Sequence, residues 1–312
     1  MLNTAVKNYT GPILIIIAAL LWAVDGVIRR ELYTLPPITI IFFEHLIGLI
    51  ILSPFVFKYI LETKLNKTDW WLIVLIAVLS GLFGTLWFTT ALGKVHFISI
   101  SVVFLLQKLQ PLFAITTARI FLKEKLNSKY IKWAVLAIVS AYFVTFPNGK
   151  VNLETGEGTA IAALYALGAA FAWGSSTTFS KMLLGKVRAE VSTFYRFLFT
   201  TIIALPLLFL FGVSKIKDVA PSLILPTTSQ FGFLALIAVS TGMVALLIYY
   251  KGLAKTSVHI STILELTFPF IAILIDMKLY HTVLVPMQWV SALVLVFSIY
   301  QISRLRENEQ IA

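Results

Sequence analysis

No cysteine occurs in the 312 residues, which excludes disulfides, thiolate metal sites and cysteine nucleophiles. Charge is scarce too: Asp, Glu, Lys and Arg make up 12 % of the chain. A soluble domain carries about 25 %, so these residues cannot cover a surface that faces water. Acids are the scarcer sign, 14 against 25 bases, for a net charge of +11. The bases lie in short stretches between apolar runs and form no continuous face, which argues against a nucleic-acid partner and for charges that fix topology at a membrane. The chemistry-bearing motifs of intramembrane enzymes are missing as well: no HExxH, no GxGD-type aspartate pair, no serine with a plausible histidine partner. Four histidines without cysteine make a metal site improbable, and nothing implies a cofactor. No phosphate-binding loop is present to drive pumping by ATP, and no glycine-rich filter or ring of charge marks a channel.

What the chain has is apolar length. Apolar and aromatic residues make up 59 %, and mean hydropathy is +0.93. A helix needs about 20 apolar residues to cross a hydrocarbon core, where lipid offers no partner to unpaired backbone groups. Ten segments qualify: 12–33, 36–57, 70–92, 97–121, 129–146, 157–183, 190–212, 229–250, 257–278 and 285–304. The first is too long for the apolar core of a cleavable signal peptide. With the N-terminus in the cytoplasm, fifteen Lys and Arg flank the inner ends of the spans and seven, Arg29 and Arg30 among them, flank the outer ends. That excess places both termini inside a cell (inner) membrane.

The chain also repeats itself. LLWAVDGVIRR (20–30) matches FAWGSSTTFSK (171–181), placing Trp22 on Trp173. In the second span of each copy Glu44 falls on Arg196 and Pro54 on Pro206. SGLFGTLWFTTALGK (80–94) lies over TGMVALLIYYKGLAK (241–255), and VVFLLQKLQPLFAI (102–115) over STILELTFPFIAIL (261–274), aligning Pro111 with Pro269 and Gln107 with Glu265. The repeat unit has five spans. Five is odd, so the second copy enters the membrane from the opposite side, the build by which secondary transporters present one midplane site to either face. The expected fold is an all-α integral membrane protein of ten transmembrane helices in two inverted-topology five-helix repeats, residues 1–150 and 151–312.

The deep tryptophans, the Tyr195-Arg196-Phe197-Leu198 run, the prolines of helices 4 and 9 and the Phe-Leu-Lys-Glu-Lys-Leu ending of helix 4 (121–126) carry a resemblance. Together they resemble the EamA-type ten-helix branch of the drug/metabolite transporter superfamily, over roughly 12–304. The resemblance implies a 5+5 bundle, alternating access and usually export of small metabolites. The chain departs from the pattern at Glu44, where an Arg is expected, and at Tyr280-His281-Thr282, where the second acidic helix ending is expected.

Ionisable groups inside the spans cost about 2.5–3.5 kcal/mol each on insertion scales and mark function by default. Asp25, Glu44 with His45, Lys108, Arg196 and Glu265 are such groups. Gln107, Lys108, Gln110 and Pro111 form a polar turn whose proline frees a carbonyl at mid-membrane. Lining of a cavity by this turn competes with simple ties between helices. Glu44 either meets substrate or protons, or pairs with Lys108 to lock helices 2 and 4 together. Arg196 either faces the cavity or snorkels to the interface. Asp25 pairs most readily with Arg29 at i+4. Glu44, His45 and Glu265 are the candidate coupling groups, though a lone buried histidine is more often structural. Trp22, Trp173, Phe88, Tyr249 and Tyr250 either wall the cavity or only pack.

The function expected is secondary active export of a small polar or zwitterionic metabolite, such as an amino acid, with protons as a candidate coupling ion. A multidrug or organic-cation exporter of the same fold is the alternative, and a receptor or channel the non-transport one. The partners are a small-molecule substrate and the lipid bilayer, with the chain a monomer or homodimer.

Overall fold

The computed structural model describes residues 2–94, 109–126, 128–145, 159–213, 222–268, 271, 274, 275, 278 and 285–309. The helices are α1 (Leu2–Arg29), α2 (Pro37–Glu62), α3 (Lys67–Ile76, continuing through Ala77–Gly84 and Thr85–Lys94), α4 (Gln110–Thr117 and Ala118–Leu122) and α5 (Ser128–Thr145). The second set is α6 (Thr159–Leu184), α7 (Ala189–Phe211), α8 (Thr228–Ile237, Ala238–Val244 and Ala245–Ala254), α9 (from Val258–Leu264) and α10 (Pro286–Glu309). Among the described residues, five stretches are long and apolar enough to cross a membrane by themselves: Tyr9–Arg29, Pro37–Glu62, Lys67–Ala91, Ala189–Phe211 and Thr228–Ala254. Outward faces remain apolar on these stretches, as with Phe55 and Leu210, and on α10, where Leu293 is 70 % exposed. Water would penalise that surface and lipid does not.

Packing follows a two-fold rule. α1 lies on α8 as α6 lies on α3, and α1 meets α9 as α6 meets α4; α2 pairs with α7, α4 with α9 and α5 with α10. Exchanging the first five helices for the last five leaves this set of contacts unchanged. With five helices per copy, the chain is an all-α membrane protein of ten spans in two inverted repeats. The expected boundary between 150 and 151 lies outside the described residues. The α5–α10 contact shows why small residues matter here. Ala134, Ala137 and Ala141 are buried on one face of α5, and Ala292, Leu295 and Ile299 are buried on α10. In lipid, close backbone approach replaces the hydrophobic effect as the source of helix association.

The helix starts repeat as well. Asn66 accepts from the Asp69 N–H at 2.9 Å while Asp69 accepts from the Asn66 N–H at 3.0 Å. Thr227 and Gln230 form the same reciprocal cap on α8. Each cap satisfies two of the N–H groups that a helix start leaves without partners. Deeper in, α3 and α8 both widen into a π-helical stretch, at Ala77–Gly84 and Ala238–Val244. A π turn turns backbone carbonyls out of the regular ladder. Ser80 and Thr241 carry the carbonyls that are used.

At the end of the bundle rich in Lys and Arg, α4 stops at Lys123 in a left-handed conformation (φ 55°). The reversal directs Glu124 across the repeats to the start of α9. Its carboxylate accepts from the backbone N–H groups of Val258 (2.8 Å) and His259 (3.1 Å) and from His259 Nδ1 (2.6 Å). Burial acts to raise the acid's pKa. The bonds from the His259 ring and the two backbone groups outweigh it and hold the carboxyl below its ordinary value. A folded-state pKa below the unfolded one makes this contribution present at neutral pH and lost as pH falls through the folded value. Thermal unfolding of the purified protein should therefore place wild type above Glu124→Gln at pH 7. The gap should close below pH of about 4, where carboxylates protonate. A gap independent of pH would contradict this account.

Candidate functional site

Between the repeats lies a cavity of about 240 Å³. Its walls begin with the two tryptophans that the internal repeat aligns. Trp22 of α1 donates its indole N–H to the Thr241 carbonyl of α8 at 2.9 Å. Trp173 of α6 donates to the Ser80 carbonyl of α3 at 3.1 Å. Both acceptors lie in the π stretches, so each widened turn receives a ring from the opposite repeat. Gly84 belongs to this arrangement, since a Cβ there would run into the Trp173 ring. At the crossing of α2 and α7, His45 meets Phe197 edge-on with ring centroids 5.2 Å apart.

One end of the cavity holds an ionic cluster. Arg29 donates through Nε to Asp25 at 2.7 Å and through both terminal nitrogens to Glu44 at 3.1 Å. Thr241 adds a hydroxyl donor to Asp25 at 2.5 Å. Arg29 is 4 % exposed, so it is a buried cation and not one of the outer flanking charges it resembles in the sequence. Its i+4 pairing with Asp25 was legible from spacing, but Glu44 joins it from the next helix. Arg29 reaches Glu44 because α1 and α2 are joined by a short connection that sets their facing turns side by side. Lys108 and Gln107 lie outside the described residues.

The other wall is made by α7, α8 and α9. Glu265 follows the last turn of Val258–Leu264 and accepts from the Tyr249 hydroxyl at 2.6 Å and from the Gln110 amide at 2.9 Å. Both donors are neutral. Tyr249 packs against Trp22 with centroids 5.1 Å apart. Arg196 lines the cavity instead of reaching for the interface, and its nearest described acceptor is the Tyr250 hydroxyl at 3.4 Å. His45 also lines it, with Nδ1 bonded to the Ile41 carbonyl at 2.9 Å. Phe88 packs against Trp173 on the α3 side.

The described candidates, Trp22, Glu44, His45, Gln110, Trp173, Arg196, Tyr250 and Glu265, thus face one space. Sequence reasoning passed over Arg29 and the hydroxyl stripe of α6, Ser176, Thr177 and Ser180, which faces the same space. The SSTT run in an otherwise apolar helix was the available signal. Among the described residues no three His, Asp or Glu side chains are placed to hold a metal ion.

A site held between two halves of repeated sequence is matched by what the chain is similar to. The EamA-like transporter family matches residues 9–146 and again 160–304. The chain belongs to this family. It is 34 % identical over 302 residues to a protein of Fusobacterium nucleatum subsp. nucleatum named Riboflavin transporter ImpX, covering 96 % of this chain and 99 % of that one. A chain of known crystal structure shares the fold at a TM-score of 0.73, with 14 % identity, over 95 % of this transporter and 98 % of its own length. The family's two matched segments coincide with the two repeats of the transporter. Its function class is transport of a small molecule across a membrane.

Proposed function

We propose that the transporter carries a flavin-like solute, a planar heteroaromatic ring with a hydroxylated side arm, by alternating access around the cavity between its repeats. The observation that carries this reading is the chemistry of the lining. Trp22, Trp173, Phe88 and Tyr249 offer ring faces, and Ser176, Thr177 and Ser180 offer hydroxyls. The name of the relative from Fusobacterium nucleatum supports the same solute class. An amino acid zwitterion, the sequence-based expectation, would leave the ring faces without a partner, so a ring system with a hydroxylated arm is the better match.

Among the described residues, three carboxylates (Asp25, Glu44, Glu265) and two guanidinium groups (Arg29, Arg196) line the space. The surplus negative charge is the place for a coupling proton, with Glu265 as its carrier because only neutral donors hold it. The same surplus supports organic-cation export as a second reading. Both termini are cytoplasmic in this scheme, on the strength of the fifteen-to-seven distribution of bases. A carrier of this build runs either way, and the gradient decides whether export results.

The test is solute flux in proteoliposomes. Labelled riboflavin should enter saturably, faster with a pH gradient, while labelled amino acids and a quaternary ammonium dye should not. Amino-acid flux without riboflavin flux would restore the zwitterion reading, and dye flux alone would establish the second.

A further inference from the structure

Two guanidinium groups line the cavity and their surroundings differ sharply. Arg29 has two carboxylates within 3.1 Å. Arg196 has no carboxylate within 4.0 Å among the described residues, its Nε is buried without an acceptor, and the 3.4 Å contact of Nη1 to Tyr250 is long. Tyr250 is itself engaged, 3.3 Å from the Ser180 hydroxyl. Guanidinium carries five N–H donors and no acceptor. Leaving such donors unmet away from water is costly, the more so for a charged group. Arg196 lines the space that the solute enters.

We infer that Arg196 is the specificity-determining residue of the cavity and binds the edge of the solute that can only accept hydrogen bonds. This inference rests on the flavin reading above. Hydroxyl groups both donate and accept, so the side arm is suited to Ser176, Thr177 and Ser180. An oxidised flavin has two accept-only pairs, N5 with the C4 carbonyl oxygen and, on its pyrimidine ring, N1 with the C2 carbonyl oxygen; only in the second do the acceptors flank a single carbon. That pair has the spacing of a carboxylate edge, the partner that the parallel N–H groups of guanidinium match. The two ends of the solute are thereby told apart, and the ring enters with its pyrimidine edge toward α7.

Equilibrium dialysis of the full chain in lipid nanodiscs tests this with riboflavin, 1-deazariboflavin and 5-deazariboflavin. Wild type should bind riboflavin and 5-deazariboflavin alike. It should bind 1-deazariboflavin, which lacks the N1 acceptor, about tenfold or more weakly, the loss expected for a hydrogen bond to a charged group. Arg196→Gln and Arg196→Lys should weaken riboflavin by a similar factor and leave 1-deazariboflavin unchanged. Equal affinity of wild type for all three flavins would overturn the assignment of Arg196, and this arm does not depend on any variant folding. Unchanged riboflavin affinity in both variants would overturn it too. Absence of flavin binding by wild type would instead overturn the flavin reading itself.

Discussion

Arg29→Met is expected to destabilise the transporter by about 3–5 kcal/mol, the usual cost of removing one partner from a buried ionic cluster. The size follows from what remains. Asp25 and Glu44, with side chains 17 % and 10 % exposed, would be left together in a site from which the cation has gone. Among the described residues the one other donor to that pair is the Thr241 hydroxyl, and it serves Asp25 alone. The triple replacement Asp25→Asn, Arg29→Met, Glu44→Leu should recover most of the loss, because the cost lies in unpaired charge and not in a missing bond. Unfolding in mixed micelles measures both variants. A single replacement costing less than about 1 kcal/mol, the scale of an exposed pair, would mean that water reaches the cluster.

A second large effect is expected where α6 meets α4. A Cβ on Gly174 would lie 2.7 Å from the Gln110 carbonyl oxygen, 2.9 Å from the Phe113 Cβ and 3.1 Å from the Ala114 nitrogen. Two of these atoms are backbone, so no side-chain rotation relieves the clash. Gly174→Leu must push the helices apart, at about 1–3 kcal/mol or more for overpacking. The displacement would carry Gln110 from its bond with Glu265, so flux should fall further than stability does. Gly174→Ala should give a smaller effect of the same sign. Flux and unfolding measured on one preparation check this, and a normal flux in Gly174→Leu would mean that the position of Gln110 is immaterial.

The repeat was readable because apolar spans align in order and carry Trp22 and Trp173, Ser80-Gly81 and Thr241-Gly242 at matching places. Parity then supplied the inversion. The gathering of Trp22, Glu44, His45, Gln110, Arg196, Tyr250 and Glu265 around one cavity followed from the rule that polar groups in lipid seek one another. Partners within a helix were legible at i+4, as with Asp25 and Arg29. Partners between helices were not, because a run of Leu, Ile and Phe leaves the rotation of a span undetermined. The bond of Glu44 to Arg29 on the neighbouring helix was therefore not foreseen. Arg29 itself, next to Arg30 at a helix end, carries the same signature as an interfacial base. The π stretches of α3 and α8 left no mark beyond small residues, and the rings that bond to them arrive from the other repeat. The FLKEKL ending proved structural in a specific way: Lys123 turns the chain and Glu124 caps α9.

The Trp22 bond joins residues 219 positions apart. At about 5–20 residues per second, a ribosome needs on the order of ten to forty seconds to deliver the acceptor after the donor has left the tunnel. Through that interval the early spans hold an unmatched indole inside the bilayer. The newborn amino-terminal half is thus a client for the insertion machinery, which must shelter it until its twin arrives.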